Sequence, residues 1–181
     1  MKKLVVTIIA FLFVLVGCTN EMDSPTKKVE TFLNKYQKQD EEIIKEFDVS
    51  MIEEETLNDE QKEKYKDIML DQYKNLVYEI KEEKVDGNKA TVEVEIEVYD
   101  YNKALENAYT YLDEHQDDFL IDDVLDIVSF INYKLEQLMD YKDRVKYTIT
   151  FNLSRKDTNS EWELEKLSET DLKKIHGIYK N

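Results

Sequence analysis

From Thr91 to Val98 the chain alternates without a fault, with Val92, Val94, Ile96 and Val98 interleaved with Thr91, Glu93, Glu95 and Glu97. A period of two sends every apolar side chain to one face of a strand and every acid to the other. Such a strand lays one face on a core and leaves the other in water, as the strands of antiparallel sheets do. Upstream, Tyr78, Ile80 and Val85 lead into Asp86-Gly87-Asn88, a turn signal that makes the two segments a hairpin. A second alternation sets Val145, Tyr147, Ile149, Phe151 and Leu153 against Lys146, Thr148, Thr150 and Asn152. Polar turn residues 156–160 follow, and then a returning strand with Trp162 and Leu164.

Helical spacing surrounds the two hairpins. Ser24-Pro25 supplies an N-cap and a tolerated first-turn proline, and Val29, Phe32, Leu33, Tyr36, Ile43, Ile44 and Phe47 follow. They predict one helix from Pro25 to about Glu46. Ser50-Met51-Ile52-Glu53 has capping-box spacing for a short turn. Asn58-Asp59-Glu60-Gln61 repeats that signal, and Tyr65, Ile68, Met69, Gln72, Tyr73 and Leu76 carry a helix to about Lys74. Tyr101, Ala104, Leu105, Ala108, Tyr109 and Leu112 predict a third helix, interrupted by the acids of 113–118. A longer apolar helix is predicted from Ile121 through Val124, Leu125, Val128, Ile131, Leu135, Leu138 and Met139, with Ile127 and Phe130 widening its face. Ser168-Glu169-Thr170-Asp171 caps a short last helix with Leu172, Ile175 and Ile178. The predicted architecture is α+β, with N-terminal helices, an antiparallel sheet from two hairpins, and a helical insertion over about 102–140 between them. A chain of 181 residues fits one such domain, here 24–181.

The first residues read differently. Lys2 and Lys3 precede Leu4–Val16, apolar except for Thr7, which is too short to cross a bilayer and right for a signal-peptide core. Leu15-Val16-Gly17-Cys18 then resembles the lipobox of bacterial lipoproteins. That resemblance implies cleavage between Gly17 and Cys18, and a diacylglyceryl group on the Cys18 thiol with an N-acyl chain beside it. The chain would divide into a signal peptide at 1–17, a lipidated cysteine and linker at 18–23, and the domain at 24–181. The only arginines are Arg144 and Arg155, against many Lys, Ile, Asn and Tyr, a bias that suits a low-GC Gram-positive source. The implied location is the extracytoplasmic face of the cell membrane, held there by the lipid.

The segments Ser24–Leu33, Lys89–Val94 and Glu161–Leu164 resemble NTF2-like (cystatin-like) domains of small lipoproteins from such bacteria. The resemblance implies a curved, cone-shaped sheet that encloses a pocket with the first helices. Tyr36, Tyr73, Tyr147 and Trp162 would line it, their hydroxyls and indole N–H orienting a ligand. The same residues also suit an aromatic core with hydroxyls at its edge.

Chemistry is sparse. A formal net charge of −16 argues against nucleic acid, whose binding needs phosphate neutralisation. A single cysteine excludes an internal disulfide and a multi-cysteine zinc site. His115 lies among Asp113, Glu114, Asp117 and Asp118 in what reads as a solvated loop, and His176 sits with Lys173 and Lys174 where a helix dipole favours cations. The acids of 113–126 come in adjacent pairs without a glycine, unlike a calcium loop. Ser24, Ser50 and Ser168 have capping explanations, Ser129 lies in an apolar helix, and Ser154 and Ser160 flank a turn. No catalytic, cofactor or metal residue is assigned. The leading expectation is a non-enzymatic, lipid-anchored protein that binds an envelope protein or a cationic peptide through Glu93, Glu95 and Glu97. The alternatives are a small-molecule carrier or sensor using the aromatic pocket, and an NTF2-like isomerase or dehydratase with a titratable group in that pocket.

Overall fold

The alternating segment is the middle of the longest strand pairing among the described residues. In the computed structural model, which describes residues 24–46 and 57–180, it belongs to β2 (Lys89–Tyr99). Before it come α1 (Pro25–Gln37), α2 (Glu41–Glu46), α3 (Asp59–Lys74) and β1 (Val77–Asp86). After it come α4 (Tyr101–Glu114), a 3-10 turn (Gln116–Phe119), β3 (Leu120–Ile121), β4 (Val124–Leu125), α5 (Ile127–Asp140), β5 (Arg144–Ser154), β6 (Glu163–Leu164) and α6 (Glu169–Ile175). The fold is α+β, and its main sheet runs β1-β2-β5-β6 with every neighbour antiparallel. This is an open four-stranded sheet; the NTF2-like cone goes beyond what the strand order shows.

β2 and β5 pair along their whole length, from Lys89 opposite Ser154 to Tyr99 opposite Arg144. The alternation then does what its period requires. Val92, Val94, Ile96 and Val98 are buried with Tyr147, Ile149, Phe151 and Leu153 in the core, beneath Val29, Leu33 and Tyr36 of α1 and Tyr65, Ile68, Met69 and Tyr73 of α3. β1 forms one edge, and there the register slips between Ile80 and Glu82. The extra residue turns Glu83 onto the core side, opposite Val92. Its carboxylate accepts from the Thr26 backbone N–H at 2.9 Å and from the Thr26 hydroxyl at 2.6 Å. Helix α1 has no acid in its own first turn, so a strand supplies the anion that its N-terminus favours.

Capping follows the sequence closely. Ser24 Oγ accepts from the Lys27 N–H at 3.1 Å, with Pro25 in the first turn. Asn58 and Gln61 form the full reciprocal capping box, at 2.9 and 3.1 Å. The other box, Ser50 to Glu53, lies outside the described residues.

Two predicted helices are corrected. The single helix to Glu46 breaks after Gln37, because Gln39 adopts a left-handed φ of 54° and the Asp40 carboxylate then accepts from the Glu42 N–H. The break is braced by α3 and the link after it, where the Gln39 amide donates to the Leu70 carbonyl and the Gln37 amide to the Leu76 carbonyl. The apolar helix expected from Ile121 starts at Ile127. Ile121 to Leu125 instead belong to a hairpin, with Leu120 opposite Leu125 and Ile121 opposite Val124. Its turn residues Asp122 and Asp123 have φ of 51° and 62°, the double positive φ of a two-residue hairpin turn. Asp126 ends the hairpin and caps α5 through the Ser129 N–H. Turn and cap chemistry override a helical hydrophobic period here.

The chain closes over the end of α3. The buried Gln72 side chain donates to the carbonyls of Tyr99 and His176 and accepts from the Tyr99 N–H, at 2.9 to 3.1 Å. Gly177 follows at φ 73°, and a Cβ there would meet the Tyr99 carbonyl oxygen at 2.1 Å.

Candidate functional site

Tyr36, Tyr73, Tyr147 and Trp162 all lie in the main core. Tyr36 and Tyr73 meet edge to face at 5.0 Å between ring centres, and Phe32 bridges Tyr36 to Phe151. Tyr147 donates to the Tyr179 carbonyl at 3.0 Å, and Trp162 lies under the Arg155 guanidinium at 4.3 Å. These are contacts with other residues of the domain. Burial pushes the Tyr147 hydroxyl up to about 12, and the Tyr73 hydroxyl higher still.

His176 is placed otherwise than its neighbours suggest. It ends α6, but its ring is buried with Nδ1 at 2.7 Å from the Tyr73 hydroxyl. Burial lowers it to about 4, so it is neutral and gains nothing from the helix dipole. The dipole explanation therefore fails for His176, while Lys174 keeps a local role, donating to Asp171 and to the Thr148 carbonyl. His115 is exposed and stacks on Tyr111 at 4.3 Å.

The expected acidic face is largely answered from within. Glu95 pairs with Lys146 at 2.9 Å and with Lys81 at 3.6 Å. Glu97 pairs with Arg144 at 3.6 Å and Lys146 at 4.0 Å. The Lys146 hydrogen bond holds the Glu95 carboxyl below its ordinary range. Glu93 lies between Glu82 of β1 and Thr150 of β5. On the open sheet face Glu95 and Glu97 thus sit in a ladder of cross-strand ion pairs, while Glu93 stands beside another acid.

A second acidic region has no such ladder. No Lys or Arg occurs between Lys103 and Lys134, while Asp113, Glu114, Asp117, Asp118, Asp122, Asp123 and Asp126 all fall there. Among the described residues, none of these acids joins an ion pair, although Glu106 just upstream joins two. Beneath them is a separate aromatic platform. Phe119 packs on Phe130 and Tyr133, each at 5.4 Å, and Tyr133 stacks on Tyr111, whose hydroxyl donates to Asp118 at 2.8 Å. Gln61 fixes the platform to α3, donating to Asn132 and to the Val128 carbonyl. Above it, Ile121 and Val124 are 61% and 67% exposed, and Ile127 and Val128 are more than half exposed. Periodicity assigns these four to a buried helix face, which hides the patch; the Asp122-Asp123 pair with the Asp126 cap is the signal that could have found it.

Gly17, Cys18 and Ser50 lie outside the described residues. Ser24 and Ser168 act as caps. Among the described residues no helix is long and apolar enough to cross a membrane, and no three His, Cys, Asp or Glu converge as a metal set.

One family model matches the chain, that of the KRAB box, over residues 48–78. No curated protein and no solved structure matches. The KRAB-box match overturns the bacterial-lipoprotein resemblance. With it go the membrane location, the Gram-positive source, the lipid on Cys18 as an anchor, and the binding of an envelope component or cationic peptide from a lipid-held position. The matched segment is well under half of the chain, so it is a similarity of that segment and does not place the whole domain in a family. Its described part is Leu57, α3 and the start of β1.

Proposed function

We propose that the domain is a protein-binding module without catalytic chemistry, and that it binds through the tip made by β3, β4 and the first turn of α5. The observation that carries this reading is the exposed group Ile121, Val124, Ile127 and Val128. Single exposed apolar residues are ordinary, but a cluster of branched side chains on a braced tip marks an interaction surface. The KRAB-box match supports protein binding as well, and favours a transcription-repression setting for it. Within the matched segment, however, Gln61, Tyr65, Ile68, Met69, Gln72 and Tyr73 face the domain's own core. A partner meets α3 only on a polar side that includes Asp59, Glu60, Lys62 and Glu63. The apolar contact surface is therefore the tip.

The test is photo-crosslinking in the cells that make the protein, with benzoylphenylalanine replacing Val124 in one variant and Glu95 in another. A discrete protein adduct from position 124 and none from 95 is expected. No adduct at 124, or the same adducts from both positions, refutes the tip as the binding surface.

A further inference from the structure

We infer that the occupant of the tip is a segment of a partner protein with an apolar ridge flanked by lysines or arginines. This rests on the protein-binding reading and adds the chemistry of the partner. It concerns a different surface from the sheet face and involves no membrane. Two observations converge on it. Ile121 and Val124 are direct cross-strand partners, about 5 Å apart, and present a paired apolar contact. The acids that flank that contact in the chain have no internal counterion among the described residues, whereas Glu95 and Glu97 on the open sheet face do.

An apolar pair flanked in the chain by acids without ion pairs selects strongly. A neutral apolar partner would desolvate carboxylates for no return, and an acidic one would be repelled. A basic-flanked ridge covers the apolar centre and brings the missing counterions. A second copy of this chain is disfavoured, because it would set acid against acid. Strand addition is disfavoured too, because β3 and β4 are two residues each.

The probe is a synthetic amphipathic Leu/Lys helix carrying a fluorophore, titrated with the full chain at low and high salt. A scrambled peptide of the same composition and a Leu/Glu counterpart are controls. The paired variant Ile121→Ser with Val124→Ser removes the ridge contact, and Asp122→Asn with Asp123→Asn removes charge while keeping residues that tolerate the left-handed turn. The Leu/Lys helix is expected to bind, with affinity falling about tenfold in the serine variant. The asparagine variant should bind more weakly at low salt and show a shallower salt dependence. Three outcomes overturn the inference: binding that survives the serine variant, equal binding of the scrambled or Leu/Glu peptide, or self-association of the chain that the serine variant abolishes. If crosslinking at position 124 succeeds while the Leu/Lys helix fails, the tip stands as a binding surface and only its basic partner is refuted.

Discussion

The main domain and the tip of the insertion are built from similar residues and treat them in opposite ways. On the open sheet face, Glu95 and Glu97 meet Lys81, Arg144 and Lys146 across neighbouring strands. In the core behind it, Gln72 satisfies three backbone groups and itself. Around the tip, acids cluster with no basic residue from 104 to 133, and branched apolar side chains stand in water. Polarity is answered by ion pairs and hydrogen bonds inside the fold in one region, and among the described residues it meets no ion-pair partner in the other. The difference shows in whether the counterpart lies inside the molecule.

The largest expected effect lies where every group is answered. In Gly177→Ala the new methyl would sit 2.1 Å from the Tyr99 carbonyl oxygen and 2.3 Å from the Gln72 amide nitrogen, at a φ that alanine resists. Both the clash and the loss of the Gln72 bonds count, so chemical denaturation should show a loss of about 3–5 kcal/mol. The paired Ile121→Ser and Val124→Ser substitutions, both in water, should change stability by no more than about 0.5 kcal/mol each. Comparable losses at the two places would erase the difference between the two regions.

Acid should act on the main domain through His176. His176 is held neutral in the fold and titrates near 4, against an ordinary value of 6.5. The unfolded chain therefore takes the proton first. Its contribution to stability is complete above about pH 6.5 and is lost as the pH falls toward 4. At 1.36 kcal/mol per unit, the loss amounts to about 3 kcal/mol. His176→Gln should flatten the stability profile over this window. Denaturant midpoints between pH 7 and pH 4 measure it.

Much of the main domain was legible because its signals are local and repeat. The β2 and β5 alternations, the Asp86-Gly87-Asn88 turn and the Asn58–Gln61 capping box each name their structure within a few residues. The tip was not, because Ile121, Val124, Leu125 and Val128 fit a helical period as well as a hairpin. Only backbone geometry at Asp122 and Asp123 separates the two. The charge ladder was illegible for another reason. Alternation places Glu93, Glu95 and Glu97 on one face but does not say which strand lies beside them. His176 was misread because the period of α6 does not reveal that the chain turns inward at Gly177.

The smallest expected effect is the sharpest discriminator, because it is a difference of sign. Glu95→Gln removes the partner of Lys146 and Lys81 from a neutralised ladder. It should lower the melting temperature slightly at low salt and leave it unchanged at high salt, as exposed pairs are weak and screened. Asp122→Asn with Asp123→Asn removes two charges from a region of like charge. It also places asparagine where both φ values are positive, a conformation that asparagine adopts readily in hairpin turns. The same chemical change, acid to amide, should therefore raise the melting temperature at the tip, most at low salt. If both regions respond with the same sign, the tip acids are engaged inside the molecule, and the surface they surround is not reserved for a partner.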